Sequence, residues 1–364
     1  AIIDVMEVYV YSTLVDFFGN VPYSEALMGS VDLTPAYDDA KTIYLDLLSR
    51  LTADITTLGN GNGDSWGSED IFYSGDTDMW AQAAASLKLR LAMRLADTDA
   101  STAQTNAEAA ITAGVITDNA EGLIFNWLGT APHVNTIHQR FNLDGRTDYA
   151  PSKTIIDYMQ ALNDPRVPAY FAQVDTSGSG DFVYWGLAYG LTGSVNANSY
   201  SKFAPNMFAA SYPAVLIGYD EVEFLLAEAA QRGFTTPMTA QEHYEAAVTA
   251  SCDYWGVNAA PYIAADGAWD AANWKEVLGT QKWIALYNRG NEGYNTWRIF
   301  DWPVLSPPVN MTQDDIPLRW PYPYNEVDLN PDNYAAASTA IGGDEVRTQL
   351  FWDATPNSAT PASN

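Results

Sequence analysis

Apolar residues between positions 38 and 58 recur at intervals of three and four, the spacing that aligns side chains on one face of an α-helix. The stripe consists of Ile43, Tyr44, Leu47, Leu48, Leu51, Ile55 and Leu58. Asp76 or Asp78 can cap a second helix, and a third, over about 101–113, is expected to end at Gly114. The opening residues also have the pattern of a helix interior.

The clearest helical pair lies in the second half of the chain. A helix over 221–232 is expected to stop at Gly233, and Thr239 with Glu242 has the capping-box spacing that begins its partner. A further helix is expected over about 274–290. Small side chains on facing surfaces favour the close packing of tetratricopeptide-like pairs. They are Ala227, Ala229, Ala230, Ala246 and Ala247.

Long stretches without helical periodicity separate these helices. They are 59–75, 114–150, 172–215, 257–272 and 301–364. Loops longer than ~15 residues are usually functional or disordered, and the many aromatic residues here favour ordered loops. We therefore predict an all-α fold, a tetratricopeptide-like scaffold of helical pairs with long packed loops, in one domain over 1–364. Short strands are expected near 181–188, and the tail 354–364 is expected to fray.

The excess of acidic residues excludes some classes of ligand. The 17 Lys and Arg against 45 Asp and Glu give a formal net charge of −28, which opposes binding to nucleic acid or anionic lipid. A single Cys excludes a disulfide framework, and no apolar stretch reaches the ~18 residues of a membrane helix. Asp4 and Glu7 stand where a signal peptide would be basic, so the first residues are not expected to be a signal peptide. Because they have the pattern of a helix interior, we expect natural sequence upstream of them.

The sequence lacks the common catalytic motifs and so gives little support for an enzyme. The sequence contains no G-x-S-x-G, H-E-x-x-H, Walker or C-x-x-C pattern. His133 and His138 are expected to make ordinary hydrogen bonds. Because glycoside hydrolysis needs only two suitably separated carboxylates, an α-helical glycoside hydrolase remains an alternative.

No cofactor is required by the sequence, but one loop is acidic enough for a calcium site. Asn60, Asn62 and Asp64 alternate like the first ligands of a calcium loop. The pattern is not an EF-hand, because the required turn Gly and bidentate Glu are replaced by Ser65 and Ile71. An irregular calcium site remains an alternative, with the candidate ligands Asp64, Glu69 and Asp70.

Several motifs follow one another in an order typical of one family. The first is D-F-F-G-N-V-P-Y-S-E-A at 16–26, followed by Y-S-G-D at 73–76 and S-L-K-L-R-L-A-M-R at 86–94. D-P-R occurs at 164–166. These segments resemble the corresponding stretches of the SusD/RagB family of nutrient-binding lipoproteins of Bacteroidota outer membranes.

The C-terminal motifs are the most specific. Residues 221–233 resemble the family pattern E-x-x-F-x-x-A-E-A-x-x-R-G, and 281–286 resemble its Q-K-W-I-A segment. Residues 319–330 match R-x-x-Y-P-x-x-E-x-x-x-N. Residues 297–300 depart from the family, which often has a paired Arg and Gly there. The resemblance thus extends over nearly the whole chain.

This resemblance implies a tetratricopeptide-like helical fold, no catalysis and capture of a glycan at the cell surface. It also implies a SusC-like TonB-dependent barrel as partner, and an outer-membrane location through a lipid anchor outside this chain. A helical scaffold that binds only protein partners is a further alternative.

A sugar-capture site needs exposed aromatic planes for stacking and polar side chains for hydrogen bonds. Tryptophans in helices or family motifs are expected in the core. They are Trp80, Trp255, Trp283 and Trp297. The loop tryptophans Trp66, Trp185 and Trp269 stand among small and polar residues, and we predict them as stacking platforms. Asn62, Asp64, Tyr184 and Tyr189 complete the predicted glycan site, on a face formed by loops 59–75, 172–215 and 257–272.

The net charge favours a neutral glycan, because it repels an anionic one. A marine β-glucan is one such ligand. A local basic patch could still attract an anionic glycan within the Debye length. Its candidates are Arg140, Arg146, Lys153 and Arg166.

Overall fold

The computed structural model describes residues 1–61, 65–191, 193–309 and 316–354, and most of its regular structure is helical. In chain order the helices are α1 (Ile2–Phe18), α2 (Ala40–Gly59), α3 (Thr77–Arg94), α4 (Ala100–Ala113), α5 (Thr136–His138), α6 (Lys153–Ala161), α7 (Val167–Tyr170), α8 (Tyr219–Gln231), α9 (Ala240–Tyr254), α10 (Ala260–Ile263), α11 (Trp274–Ala285), α12 (Gly290–Phe300), α13 (Glu326–Leu329) and α14 (Pro331–Ala340). In these described ranges, every helix is too short or too polar to span a bilayer.

Side-chain caps fix where the principal helices begin. The Asp39 carboxylate accepts a hydrogen bond from the backbone of the first turn of α2, and Asp76 caps α3 in the same way. Thr239 and Glu242 form the predicted capping box at the start of α9. These caps satisfy backbone N–H groups that have no partner inside the helix. The predicted pairing of α8 with α9 is confirmed.

Consecutive helices pack against each other as pairs: α1 with α2, α2 with α3, α3 with α4, α8 with α9, and α11 with α12. Helix α3 is buried almost all round and also contacts α8. One hydrophobic core therefore joins α1–α4 to α8, around residues such as Tyr44, Trp80 and Leu87. A second joins α8, α9, α11 and α12, around Phe224 and Tyr244. The all-α scaffold of helical pairs is confirmed.

In the described part of the chain, six short strands form three antiparallel two-stranded ribbons. Strand β1 (Leu123–Phe125) pairs with β6 (Ala214–Ile217), with Leu123 opposite Ile217. Strand β2 (Phe171–Ala172) pairs with β5 (Lys202–Phe203), and β3 (Val174–Asp175) pairs with β4 (Phe182–Val183). These ribbons tie the long loops together between α4 and α8.

Three stretches differ from the sequence expectations. The helix expected over 274–290 ends at Ala285, and α12 begins at Gly290, because Asn288 adopts a left-handed conformation (φ 65°) that interrupts a helix. The stretch 301–364, expected to be loop, contains α13 and α14, with Pro331 at the first position of α14. The expected frayed tail beyond Ala354 lies outside the described residues.

Candidate glycan-binding face

Trp66 lies on the surface of the loop between α2 and α3, with 53% of the residue exposed. A short 3₁₀-helix, Gly67–Glu69, follows it directly. Gly75 has φ +85°, and a Cβ there would lie 2.6 Å from the backbone nitrogen of Gly67. Only glycine permits this close approach of two backbone segments. The loop is therefore held in one shape, and the Trp66 ring is left outside.

Asp70 connects the same loop to helix α3. Its buried carboxylate accepts hydrogen bonds from Trp80 Nε1 (2.7 Å) and from the backbone nitrogens of Phe72 and Gly75 (3.0 Å each). Burial by itself would raise the pKa of Asp70, but these hydrogen bonds lower it overall. The ionised carboxylate thus connects the loop carrying Trp66 to the core residue Trp80.

The same contacts bear on the calcium hypothesis. Both carboxylate oxygens of Asp70 already accept hydrogen bonds from the protein, and Glu69 is exposed. Within the ranges described, no three His, Cys, Asp or Glu side chains are grouped so that they could hold a metal ion. Asp64, the third candidate ligand, and Asn62 lie outside the described residues. The structure instead gives Asp70 the role of a loop anchor.

Trp185 follows the β3–β4 ribbon and has 50% of the residue exposed. Its backbone nitrogen donates to Ser201 Oγ (3.0 Å), and its carbonyl accepts from Ser201 N (2.9 Å). The preceding turn is fixed by the Asp175 carboxylate, which accepts from the backbone nitrogens of Gly178 (2.8 Å) and Gly180 (2.9 Å). The backbone on both sides of Trp185 is therefore fixed, while the ring faces solvent.

Two exposed aromatic residues near Trp185 were not predicted. Phe182 lies in β4, two residues from Tyr184 in the run F-V-Y-W at 182–185. Tyr149 is held because Lys202 Nζ donates to its carbonyl (3.1 Å). The run F-V-Y-W is apolar at every position, and both residues of β4 are exposed, so the sequence contains no signal that separates Phe182 from a buried ring. The sequence around Tyr149 contains no such signal either.

A row of aromatic rings lies beneath this surface. Phe203, in the strand beside Ser201, contacts Phe141 (ring centroids 5.6 Å apart) and Tyr287 (6.4 Å). Tyr287 stacks on Tyr170 at 4.4 Å with an interplanar angle of 12°. Tyr170 in turn contacts Trp255 at 4.6 Å. The row connects the segment that holds Trp185 to the C-terminal end of α9.

A narrow cleft, with only about 20 Å³ of enclosed space, lies where this row ends. Arg289 is fixed there because its Nη1 donates to Asp220 Oδ1 (2.9 Å) and its Nη2 to the carbonyl of Ala285 (2.8 Å). Gly218 leaves room for this pair, since a Cβ there would lie 2.6 Å from Arg289 Nη1. The cleft offers aromatic walls together with hydrogen-bonding groups. The latter are Asn119, Tyr212, Tyr254, Asn288 and Arg289.

The remaining predicted aromatic residues are less accessible. Trp269 is partly buried, with its ring 5.1 Å from that of Tyr244, because loop 257–272 folds back onto α9. The ring therefore fastens its loop to α9, and it also lines an open cleft together with Gln241 and Asn258. Its role as a stacking platform stays a prediction. Tyr184 and Tyr189 are half-buried, and burial raises the pKa of each phenol.

The four tryptophans predicted for the core differ in how deeply they are buried. Trp80 and Trp297 are buried as expected, whereas Trp255 and Trp283 are partly exposed. Among the described residues, no hydrogen bond or ring contact joins Trp66 to Trp185. Phe72, in the loop that carries Trp66, packs on Phe125 of β1 (ring centroids 6.0 Å apart).

The predicted basic patch is compensated within the protein. Each of its four cations has a neighbouring carboxylate partner. The pairs are Arg140–Asp144, Arg146–Asp148, Lys153–Asp157 and Arg166–Asp164. Arg166 is also completely buried, because it joins Ser251 and Gln281 in the core. The four residues therefore do not form a cationic surface.

Comparison with known proteins agrees with this architecture. A chitin-binding SusD homologue from Flavobacterium johnsoniae superposes with a TM-score of 0.86 at 28% identity, covering 98% of this chain and 81% of that one. A SusD homologue from Bacteroides thetaiotaomicron gives 0.85 at 28% identity, covering 97% and 81%. A structure described as a chitin-binding protein gives 0.85 at 29% identity, covering 97% and 80%. No curated protein matches the chain.

Residues 1–323 match the family named SusD-like, described as starch-binding and associating with the outer membrane. This match covers most of the chain and contains both the Trp66 and the Trp185 loops. The family consists of binding proteins without catalytic activity, so the chain is not an enzyme and the glycoside hydrolase alternative is set aside. The motifs and the fold lead to one conclusion: the chain belongs to the SusD-like family.

Proposed function

We propose that this chain captures a neutral, β-linked oligosaccharide or polysaccharide at the cell surface and delivers it to a SusC-like TonB-dependent barrel. The observation that carries the proposal is the half-exposure of Trp66 and Trp185 on backbones fixed by Asp70 and Ser201. Rings already held in place lose little conformational freedom when a sugar stacks on them. Exposed aromatic rings on ordered loops are therefore suited to reversible capture.

Charge and similarity support a neutral, β-linked ligand. The protein carries a net charge of −28, and Arg146 and Lys153 are each paired with a carboxylate. Lys202, beside Tyr149, is bound by two backbone carbonyls. An anionic glycan would therefore meet repulsion without a compensating patch. Two of the similar structures are described as chitin-binding, and chitin is a neutral β-linked polymer. A β-glucan belongs to the same chemical class.

The cleft beside Trp255 supplies hydrogen-bonding groups that sugar hydroxyls require. Arg289 is held by Asp220, and the amide of Asn288 is exposed at the rim. Planar rings give affinity with little selectivity, whereas fixed donors and acceptors distinguish one arrangement of hydroxyls from another. We therefore assign selection among glycans to the polar groups at the rim of this cleft and stacking to Trp185.

Delivery requires a second surface, which we place on α1. Ile3, Val10 and Leu14 form an exposed apolar stripe on this helix. Trp320, with 55% of the residue exposed, extends the stripe because its ring lies 4.8 Å from that of Phe17. Contiguous exposed apolar surface is typical of protein contacts. The family's association with the outer membrane supports a barrel as the partner there, with a lipid anchor outside this chain.

The experiment is calorimetric titration with chitin, β-1,3-glucan and cellulose oligosaccharides, with an alginate oligosaccharide as the anionic control. We expect saturable binding of at least one neutral oligosaccharide, with micromolar to millimolar affinity and no release of new reducing ends. Absence of binding to every neutral glycan, together with co-purification of a membrane protein, would favour the alternative of a scaffold for protein partners only.

A further inference from the structure

A cavity of about 130 Å³ lies beneath loop 257–272, between α6, α9 and α11. Its volume is close to the ~150 Å³ of an engineered cavity that accommodates benzene, so one six-membered ring or one trimethylammonium group fits. Three aromatic side chains line it: Tyr158, Tyr244 and Trp302. None of these residues belongs to the glycan-binding face around Trp66 and Trp185.

The aromatic walls are held in place by the surrounding structure. The Tyr158 hydroxyl donates to the carbonyl of Val304 (2.7 Å), and the Tyr244 hydroxyl donates to the carbonyl of Gly267 (2.9 Å). Trp302 packs against the core formed by α8, α9, α11 and α12. Both phenolic protons are thus used, so the two phenol oxygens can only accept further hydrogen bonds, and the three aromatic side chains form one wall of the cavity.

Several oxygen atoms around the cavity can accept further hydrogen bonds. The exposed carboxylates of Asp266 and Glu276 stand at its rim. Asp266 accepts one hydrogen bond, from Asn163 Nδ2 (3.1 Å), and the Glu276 carboxylate has no hydrogen bond or ion pair with any described residue. Thr280 is 7% exposed, and its hydroxyl has no hydrogen-bond partner in the described part of the chain.

None of the described residues that line the cavity is Lys, Arg or His. Gln281, the remaining polar residue, already donates to Tyr262 (2.6 Å) and accepts from Arg166 (2.6 Å). The site therefore combines aromatic side chains, two carboxylates without a cation among the described residues, and the hydroxyl of the largely buried Thr280. Aromatic faces attract cations, and nearby carboxylates strengthen that attraction.

We propose that this cavity binds the ammonium group of a small organic cation, with Tyr158, Tyr244 and Trp302 enclosing it. Asp266 and Glu276 neutralise its charge at the rim, and the Thr280 hydroxyl accepts one N–H where the ligand has one. The shared chemistry is a positive nitrogen on a compact body. Two sources supply it: a quaternary amine such as choline, or the amino group of an amino sugar.

The test uses the whole chain and four probes: choline, glucosamine, glucose and N-acetylglucosamine, titrated by calorimetry or ligand-observed NMR. Glucosamine and glucose differ only at C2, where an ammonium group replaces a hydroxyl, so this pair isolates the proposed interaction. N-acetylglucosamine keeps the nitrogen without its charge and carries an added acetyl group. We expect at least one of the two cations to bind at least tenfold more tightly than both neutral sugars. A preference for choline identifies a quaternary amine, and a preference for glucosamine identifies an amino sugar.

The double variant Asp266→Asn with Glu276→Gln removes both rim charges while keeping side-chain shape. We expect it to lose at least tenfold in cation affinity, and Trp302→Leu to do the same. The matched control is Asp328→Asn with Asp332→Asn, which removes two exposed charges elsewhere and should leave the affinity unchanged. Equal binding of glucosamine and N-acetylglucosamine without choline binding, or equal cation affinity in both double variants, overturns the proposal. Binding of β-linked oligosaccharides is measured in the same variants and is expected to be unaffected.

Discussion

Arg90 on α3 and Glu221 on α8 form a buried bidentate ion pair, with Nε–Oε1 at 2.6 Å and Nη2–Oε2 at 2.9 Å. Arg90 also donates from Nη2 to the carbonyl of Leu216 (2.8 Å). The two residues lie in different family motifs, 86–94 and 221–233. The structure therefore gives a physical reason for both motifs: they join the two helices that share the largest core.

We expect Glu221→Gln to destabilise the protein strongly. The variant removes the bidentate partner of the buried Arg90 guanidinium and leaves it only the more distant Glu292 carboxylate (3.9 Å). Breaking a buried ion pair typically costs about 3–5 kcal/mol. Urea unfolding should show a lower midpoint with little change in the m-value. The control is Asp157→Asn, which breaks the exposed pair with Lys153 and should cost under about 1 kcal/mol. Similar effects of the two variants would contradict the assigned role of Arg90.

Acid should weaken the fold through Glu292. Burial by itself would raise the pKa of this carboxylate, but Arg94 and Arg90 lower it to about 2. An unfolded Glu takes up its proton near pH ~4.3, so the folded state binds fewer protons between these values. The contribution is complete above about pH 5 and is lost as the pH falls towards about 2.

The measurement for this acid effect is urea unfolding of the wild type and of Glu292→Gln at several pH values. Glu292→Gln should be less stable near neutral pH, and the difference should narrow as the pH falls to about 3. A difference that stays constant over this range would show that Glu292 does not carry the acid sensitivity.

Replacing the exposed tryptophans should lower glycan affinity. A stacked indole hides part of ~150–250 Å² of surface at ~25 cal/mol per Å², so Trp185→Ala should cost roughly tenfold, and Trp66→Ala should act in the same direction. Titration with the neutral oligosaccharide that binds best provides the measurement. Trp320→Ala is the matched control, because it removes an equally exposed indole from another surface. If Trp320→Ala lost affinity while Trp185→Ala and Trp66→Ala did not, the glycan site would lie on a different surface.

The same control residue tests the transporter contact. Leu14→Asp combined with Trp320→Ala places a charge in the apolar stripe on α1 and removes its largest ring. We expect co-purification of the barrel to be lost while glycan affinity is retained. Because Leu14 and Trp320 are exposed, the fold should tolerate both changes. Retained co-purification would assign the contact to a different surface.

Much of the scaffold could be predicted from sequence because its signals are local. The stripe from Ile43 to Leu58 and the capping box of Thr239 depend only on residues within a few positions of each other. Helix α14 was missed because its Ala-rich sequence lacks an apolar stripe, although Pro331 marked its start. The break at Asn288 was missed because a left-handed residue other than Gly has little sequence signature.

The candidate site was predicted less completely, for a different reason. Trp66, Trp185 and Trp269 have similar sequence surroundings, yet only the first two are exposed, because Trp269 finds Tyr244 on another helix. Likewise, Arg166 resembles a surface cation in sequence but is buried beside Asp164. Such contacts join residues that the sequence alone does not bring together.

The sequence by itself determined the helices, the acidic charge and the family, since these follow from short-range spacing, composition and ordered motifs. Only the tertiary structure decided which aromatic rings remain in solvent, where the aromatic cavity lies and which cations are already neutralised. The physical reason is that exposure and electrostatic compensation depend on distances across the fold, such as the one from Arg90 to Glu221, that folding alone sets.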